Sequence, residues 1–174
     1  MSNYDHLAKA IREIPDYPKE GILFYDITTL INNGKLFREV ADIFHQRYAA
    51  EGIDKVVGIE ARGFLFAPTL ACSLDAGLVP VRKPGKLPAE TVEISYDLEY
   101  GTDSVQMHKD AVKPGEKVLL VDDLLATGGT AAAACKLIEQ QGAQIVGVAF
   151  VIELDFLNGR EKLQGQNIFS ILHY

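Results

Sequence analysis

With 174 residues, 48% of them hydrophobic and 24% charged, the chain has the size and composition of one globular domain with a full core. Its formal net charge of −7 argues against nucleic acid as the main partner, because a polyanion needs a basic face, although a small phosphorylated ligand in a local basic pocket stays open. No stretch approaches the ~18 apolar residues of a membrane span, and the opening MSNYDHLAKAIREIPDY lacks the basic-then-apolar order of a signal peptide, so no membrane partner is expected; two cysteines in apolar segments fit a reducing, cytoplasmic setting.

Residues 4–13 carry an amphipathic pattern that predicts a short helix stopping before Pro15. Leu36, Phe37, Val40, Ile43, Phe44 and Tyr48 recur at helical spacing between 35 and 50, with Gly52 just past the end. KVVGI (55–59) predicts a short buried strand, Glu60-Ala61-Arg62-Gly63 a turn, residues 64–76 a helix stopped by Gly77, and LVPV (78–81) another strand. RKPGKLPAE (82–90) is a basic loop. TVEISYD (91–97) and SVQMH (104–108) both alternate and read as a hairpin projecting from the sheet as a flap. After the turn KPGE (113–116) come a strand at 118–121 and a helix at 130–141 ended by Gly142. A long buried strand at 145–152 and a last strand at 167–174 complete the order.

Strands alternating with helices predict an α/β fold built on a mostly parallel central sheet flanked by helices. Ligands of such sheets sit beyond the carboxyl ends of the strands, and residues 60–63, 82–86 and 122–130 all fall there. Cys72 and Cys135 lie in apolar helical segments and read as small buried hydrophobes. The sequence has no P-loop, no G-x-G-x-x-G after a strand and no G-x-S-x-G elbow. His6, His45, His108 and His173 lack metal-ligand spacing.

The most informative stretch is VLLVDDLLATGGT (118–130). In Ala126-Thr127-Gly128-Gly129-Thr130 the backbone can turn sharply and aim several N–H groups at one anion, at the positive end of the following helix. Asp122 and Asp123 would repel a phosphate, so they must face something else: hydroxyls, which donate to carboxylates, or a magnesium ion. A sugar 5-phosphate meets both needs. The same residues would also serve as a polar strand end, a glycine turn and a helix cap; the ordered strand, acid pair, turn and helix favour the ligand reading.

This stretch resembles the phosphoribosyl-pyrophosphate (PRPP) motif of the type I phosphoribosyltransferases. YPKEGILFYDIT (17–28), GIEARGFLF (58–66), VPVRKPGKLP (79–88) and YDLEYGTD (96–103) are similar, in the same order, to the adenine phosphoribosyltransferase family. The resemblance implies one domain over 1–174, with an N-terminal hood of about 1–34 and a flap of about 90–108. It implies transfer of the 5-phosphoribosyl group from PRPP to adenine, giving AMP and pyrophosphate, with Mg2+ as cofactor and a homodimer as the assembly. Ala126 stands where hypoxanthine/guanine enzymes carry an aspartate, which weakens the 6-oxopurine alternative. A xanthine or guanine enzyme and a PRPP-sensing regulator are the other readings.

Carried over by residue, the resemblance implies that Asp122 and Asp123 contact the ribose hydroxyls and that Ala126, Thr127, Gly128, Gly129 and Thr130 hold the 5-phosphate. Mg2+ is held mainly by PRPP, near Asp122 and Asp123. Arg62, after a Glu60–Ala61 bond that is cis in the family, binds pyrophosphate with Lys83 and Lys86, across a dimer interface, and with Arg82 nearby. Leu23, Phe24 and Tyr25 line the adenine pocket, Phe24 stacking on the ring; many relatives have arginine at the Tyr25 position. Tyr100 and Glu99 lie on the flap. Adenine loses a proton as its nitrogen attacks, and Glu99 is the candidate base.

Overall fold

The computed structural model describes residues 4–97 and 101–174. The chain divides into two compact units, Met1–Ile43 and Phe44–Tyr174. Among the described residues no helix is long and apolar enough to cross a membrane.

The first unit holds α1 (Asp5–Ala8), β1 (Arg12–Pro15), β2 (Leu23–Asp26), α2 (Thr28–Ile31) and most of α3 (Gly34–Tyr48). The helix expected over 4–13 ends at Ala8, and Arg12–Pro15 is a strand instead. Its backbone pairs antiparallel with β2, Arg12 opposite Asp26 and Ile14 opposite Phe24. Arg12 forks onto the Asp26 carboxylate with Nε at 3.1 Å and Nη2 at 2.7 Å. Hydrogen bonds from Thr28, then from Arg12, bring Asp26 down to about 2. Tertiary pairing overrides a weak local helical pattern here.

The second unit contains the end of α3, β3 (Lys55–Ile59), α4 (Ala67–Ser73), β4 (Gly77–Val81), β5 (Thr91–Asp97), β6 (Thr102–His108), β7 (Lys117–Leu125), α5 (Gly129–Gln140), β8 (Gln144–Glu153) and β9 (Ile168–His173). Five strands form a parallel sheet in the order β4-β3-β7-β8-β9, as the alternation of elements predicts. A sheet covered on both faces needs unbroken apolar strands. Val118, Leu119, Leu120 and Val121 in β7 and Val148, Ala149, Phe150 and Val151 in β8 are fully buried. β7 runs on to Leu125, so the acid pair lies within its carboxyl end and not after it.

Two further expectations change. The segment read as one helix from 64 to 76 is a 3-10 turn at Arg62–Leu65 followed by α4. Cys72 on α4 is exposed, while Cys135 on α5 is buried as expected, and burial pushes its thiol up to about 12.

The β5–β6 hairpin pairs from Thr91↔His108 to Asp97↔Thr102. Its body does not project. Val105 and Met107 are buried, and Val92, Ile94 and Tyr96 pack on the same core as Ala131, Ala134 and Cys135 of α5. Arg82 and Gln106 exchange both backbone hydrogen bonds, at 2.9 and 2.7 Å, which ties the hairpin to the end of β4. An alternating strand with one apolar face is built to be covered on that face.

Candidate functional site

At the carboxyl ends of β3 and β7 the second unit opens a cleft of about 240 Å³, lined among others by Glu60, Arg62, Lys83, Asp122, Asp123 and residues 126–130. Residues separated by some 70 positions thus meet where an open parallel sheet is expected to bind.

The Ala126–Thr130 turn leads into α5. Gly128 is its N-cap, with φ of +78°, in the left-handed region that suits glycine. A β-carbon there would collide with the carbonyl oxygen of Gly159. The turn therefore closes against its neighbour and leaves the first amides of a twelve-residue helix beside the cleft.

Asp123 is buried, and its carboxylate makes an ion pair with Arg62 Nε at 3.0 Å. Asp122 Oδ1 accepts the Asp123 backbone N–H at 2.9 Å. Burial and mutual repulsion push Asp122 well above its ordinary range. Burial also raises Asp123, against the pull of Arg62. Gly63 explains the closeness: a β-carbon would stand 2.9 Å from both Asp122 Oδ1 and the Val121 carbonyl oxygen. The turn of residues 60–63 lies this near the acids because it carries glycine there. The Glu60–Ala61 peptide bond is cis.

The basic loop after β4 divides. Lys83 lines the cleft; Arg82 and Lys86 do not. They are held by Glu60, which accepts from Arg82 Nε at 3.2 Å, from the Lys83 backbone N–H at 2.9 Å and from Lys86 Nζ. Burial pushes Glu60 upward, but these hydrogen bonds outweigh it and bring its pKa to about 2. Sequence reading passed over Glu60 as part of a turn. It also passed over Asp103 and the Tyr96 hydroxyl, whose partners Lys83 and Thr130 lie 13 to 34 residues away. No local pattern signals pairings at such separations.

Leu23, Phe24 and Tyr25 sit on β2 of the first unit. Leu23 is exposed, and the Phe24 ring meets Tyr17 edge-on at 5.2 Å. Burial, then the Glu13 charge, raise the Tyr25 phenol. Glu99 and Tyr100 lie outside the described residues.

The donors at the acid pair suit a hard cation. Asp123 Oδ2 is buried with no hydrogen bond, although Arg62 faces it, and carboxylate oxygens are what magnesium takes. Glu153, Asp155 and His173 also converge, but Glu153 is filled by Arg160 at 2.5 and 2.7 Å and by Ser170 at 2.5 Å. That group reads as a structural network.

Residues 26–167 match the phosphoribosyl transferase domain family. The adenine phosphoribosyltransferase of Chloroflexus aurantiacus is 60% identical over 168 residues, covering 97% of each chain. That of Acidobacterium capsulatum is 55% identical over 172 residues, 99% of this chain and 95% of its own. The crystal structure of the Thermoanaerobacter pseudethanolicus adenine phosphoribosyltransferase matches with a TM-score of 0.95 at 48% identity, over 99% of this chain and all of that one. The Saccharomyces cerevisiae enzyme, complexed with an imino-altritol bisphosphate and adenine, matches at 0.92 with 45% identity over 97% of each chain. With a helix-opening turn beside an acid pair in its cleft, and with these relatives, the chain belongs to the phosphoribosyl transferase domain family, in its adenine phosphoribosyltransferase branch.

Proposed function

We infer that this chain transfers the 5-phosphoribosyl group from PRPP to adenine, releasing pyrophosphate and forming AMP, a purine-salvage reaction. The observation that carries the reading is the juxtaposition of the Ala126–Thr130 turn with Asp122 and Asp123 in one cleft, in a chain 60% identical to an adenine phosphoribosyltransferase.

The amides of residues 126–130 and the positive end of α5 hold the 5-phosphate. Asp122 and Asp123 accept hydrogen bonds from the ribose hydroxyls and stabilise the positive charge that grows on the sugar as its bond to pyrophosphate breaks. Arg62 and Lys83 stabilise the departing charge, with Arg82 and Lys86 on the same loop. Taking up pyrophosphate draws Arg62 from Asp123, so their ion pair is exchanged for ligand contacts on both sides. Asp122 and Asp123 would stand near a Mg2+ held mainly by PRPP, which would offset the charge that substrate and carboxylates bring together. Leu23, Phe24 and Tyr25 hold adenine, Phe24 stacking on the ring. Glu99 accepts the proton that the attacking ring nitrogen loses, and Tyr100 belongs to the same flap. Ala126 brings no carboxylate to a 6-oxopurine, which favours adenine. The active form is a cytoplasmic homodimer.

A panel of bases with PRPP and Mg2+, monitored for pyrophosphate and nucleotide, tests this. Adenine gives AMP, and guanine, hypoxanthine and xanthine react at least about a hundredfold more slowly in kcat/KM. Equal rates with a 6-oxopurine, or no product with adenine, would overturn the reading.

A further inference from the structure

We propose that Tyr96 is a positioning residue for the anion contacts of the cleft: its hydroxyl joins Lys83 to Thr130, and Asp103 anchors the join. The proposal rests on the reading of the cleft as a PRPP site. Tyr96 itself is absent from the cleft lining, so it acts through the residues it holds.

A phenol oxygen offers one donor and two acceptor positions. All three are used. Tyr96 accepts from Thr130 Oγ1 at 3.0 Å and from Lys83 Nζ at 3.1 Å, and donates to Asp103 Oδ2 at 3.2 Å. Lys83 also donates to the Asp103 carboxylate and stands 5.6 Å from the Tyr96 ring centroid. Two of its three N–H donors are thus spent on the hairpin, leaving the third for a ligand in the cleft it lines. The ring packs on Gly129, where a β-carbon would meet it at 3.3 Å.

The closed set spans four segments: β5 through Tyr96, β6 through Asp103, the basic loop through Lys83 and the first turn of α5 through Thr130. Without the hydroxyl, the lysine keeps a single tether on a flexible four-carbon stem and the Thr130 hydroxyl loses its partner. The network also fixes one of the last strand pairs of the hairpin, Tyr96 with Asp103; Tyr96 stands three residues before Glu99 in the sequence.

Tyr96→Phe removes only the oxygen and keeps the ring in its place. Together with Asp103→Asn it is assayed for steady-state kinetics, for PRPP binding by calorimetry and for thermal stability. KM and Kd for PRPP rise about tenfold in each variant, as for loss of hydrogen bonds to a charged group. The KM for adenine stays unchanged, and kcat changes less than about threefold. Combining Tyr96→Phe with Lys83→Ala costs clearly less than the product of the two single effects, because the hydroxyl acts partly through the lysine. Asp103→Glu restores most of the PRPP affinity. Asp103 is one-third exposed at the surface, so its variants keep the test open should Tyr96→Phe not fold. PRPP constants within about twofold of wild type in both variants, or single effects that multiply fully in the double variant, overturn the positioning role alone. A wild-type chain that takes up no PRPP overturns the functional reading and this role with it.

Discussion

Asp122 and Glu60 line one cleft and respond to folding in opposite ways. Glu60 gathers three donors and sits near 2. Its contribution to stability is present above its ordinary value of 4.5 and is lost as pH falls through the lower one. The acid pair is the reverse. Its folded pKa values are raised, so above the ordinary 3.8 the folded chain binds more protons than the unfolded one. Its contribution to stability therefore falls as pH rises through that window. Asp122→Asn removes the repulsion and keeps an oxygen for the Asp123 amide. It is expected to raise stability at neutral pH in urea unfolding, a gain that shrinks as pH falls towards the ordinary carboxylate range, while lowering kcat/KM at least ~100-fold. A variant less stable than wild type at neutral pH would show that the repulsion is already relieved. In the proposed reaction the ribose hydroxyls and Mg2+ would relieve this cost.

At the scale of elements, the Ala126–Thr130 turn depends on backbone shape more than on side chains. Gly128→Ala places a β-carbon both in the left-handed region and against the Gly159 carbonyl. A loss of about 2–4 kcal/mol in denaturant unfolding is expected, with weakened PRPP binding; a neutral result would mean that the 159 segment yields easily. Much at this level was legible in the sequence. KVVGI and the long run at 145–152 read as buried strands because a doubly covered parallel sheet demands unbroken apolar residues. The glycine turn and acid pair read as a site because their chemistry is local. What was not legible depends on partners distant in sequence. Arg12–Pro15 is a strand because β2 lies opposite it. The hairpin body lies against α5, since Val105 and Met107 find a core that their own segment does not announce. Glu60, Tyr96 and Asp103 gain their meaning from Lys83, Lys86 and Thr130. The residues expected to hold adenine, and Glu99, rest on resemblance rather than on local chemistry.

For the molecule as a whole, a net charge of −7 sits beside a proposed anion site. The two coexist because the cations around the cleft are already matched: Arg62 by Asp123, Lys83 by Asp103, and Arg82 with Lys86 by Glu60. Such a site offers little long-range field, and recognition depends on contacts exchanged at short range. The KM for PRPP should therefore change less than about threefold between ~0.05 and ~0.3 M salt at constant free Mg2+, as steady-state kinetics would register. A steep rise would mean that an unmatched positive field draws the substrate in.

The unequal fates of the two sulfurs have a practical side. Cys72 meets solvent on α4, whereas Cys135 is enclosed and its thiol stays protonated to about 12. A maleimide dye at neutral pH therefore finds one reactive handle on the native chain and a second only after unfolding. Without any engineered residue, the chain carries its own single-point label and, in the enclosed sulfur, its own reporter of global opening.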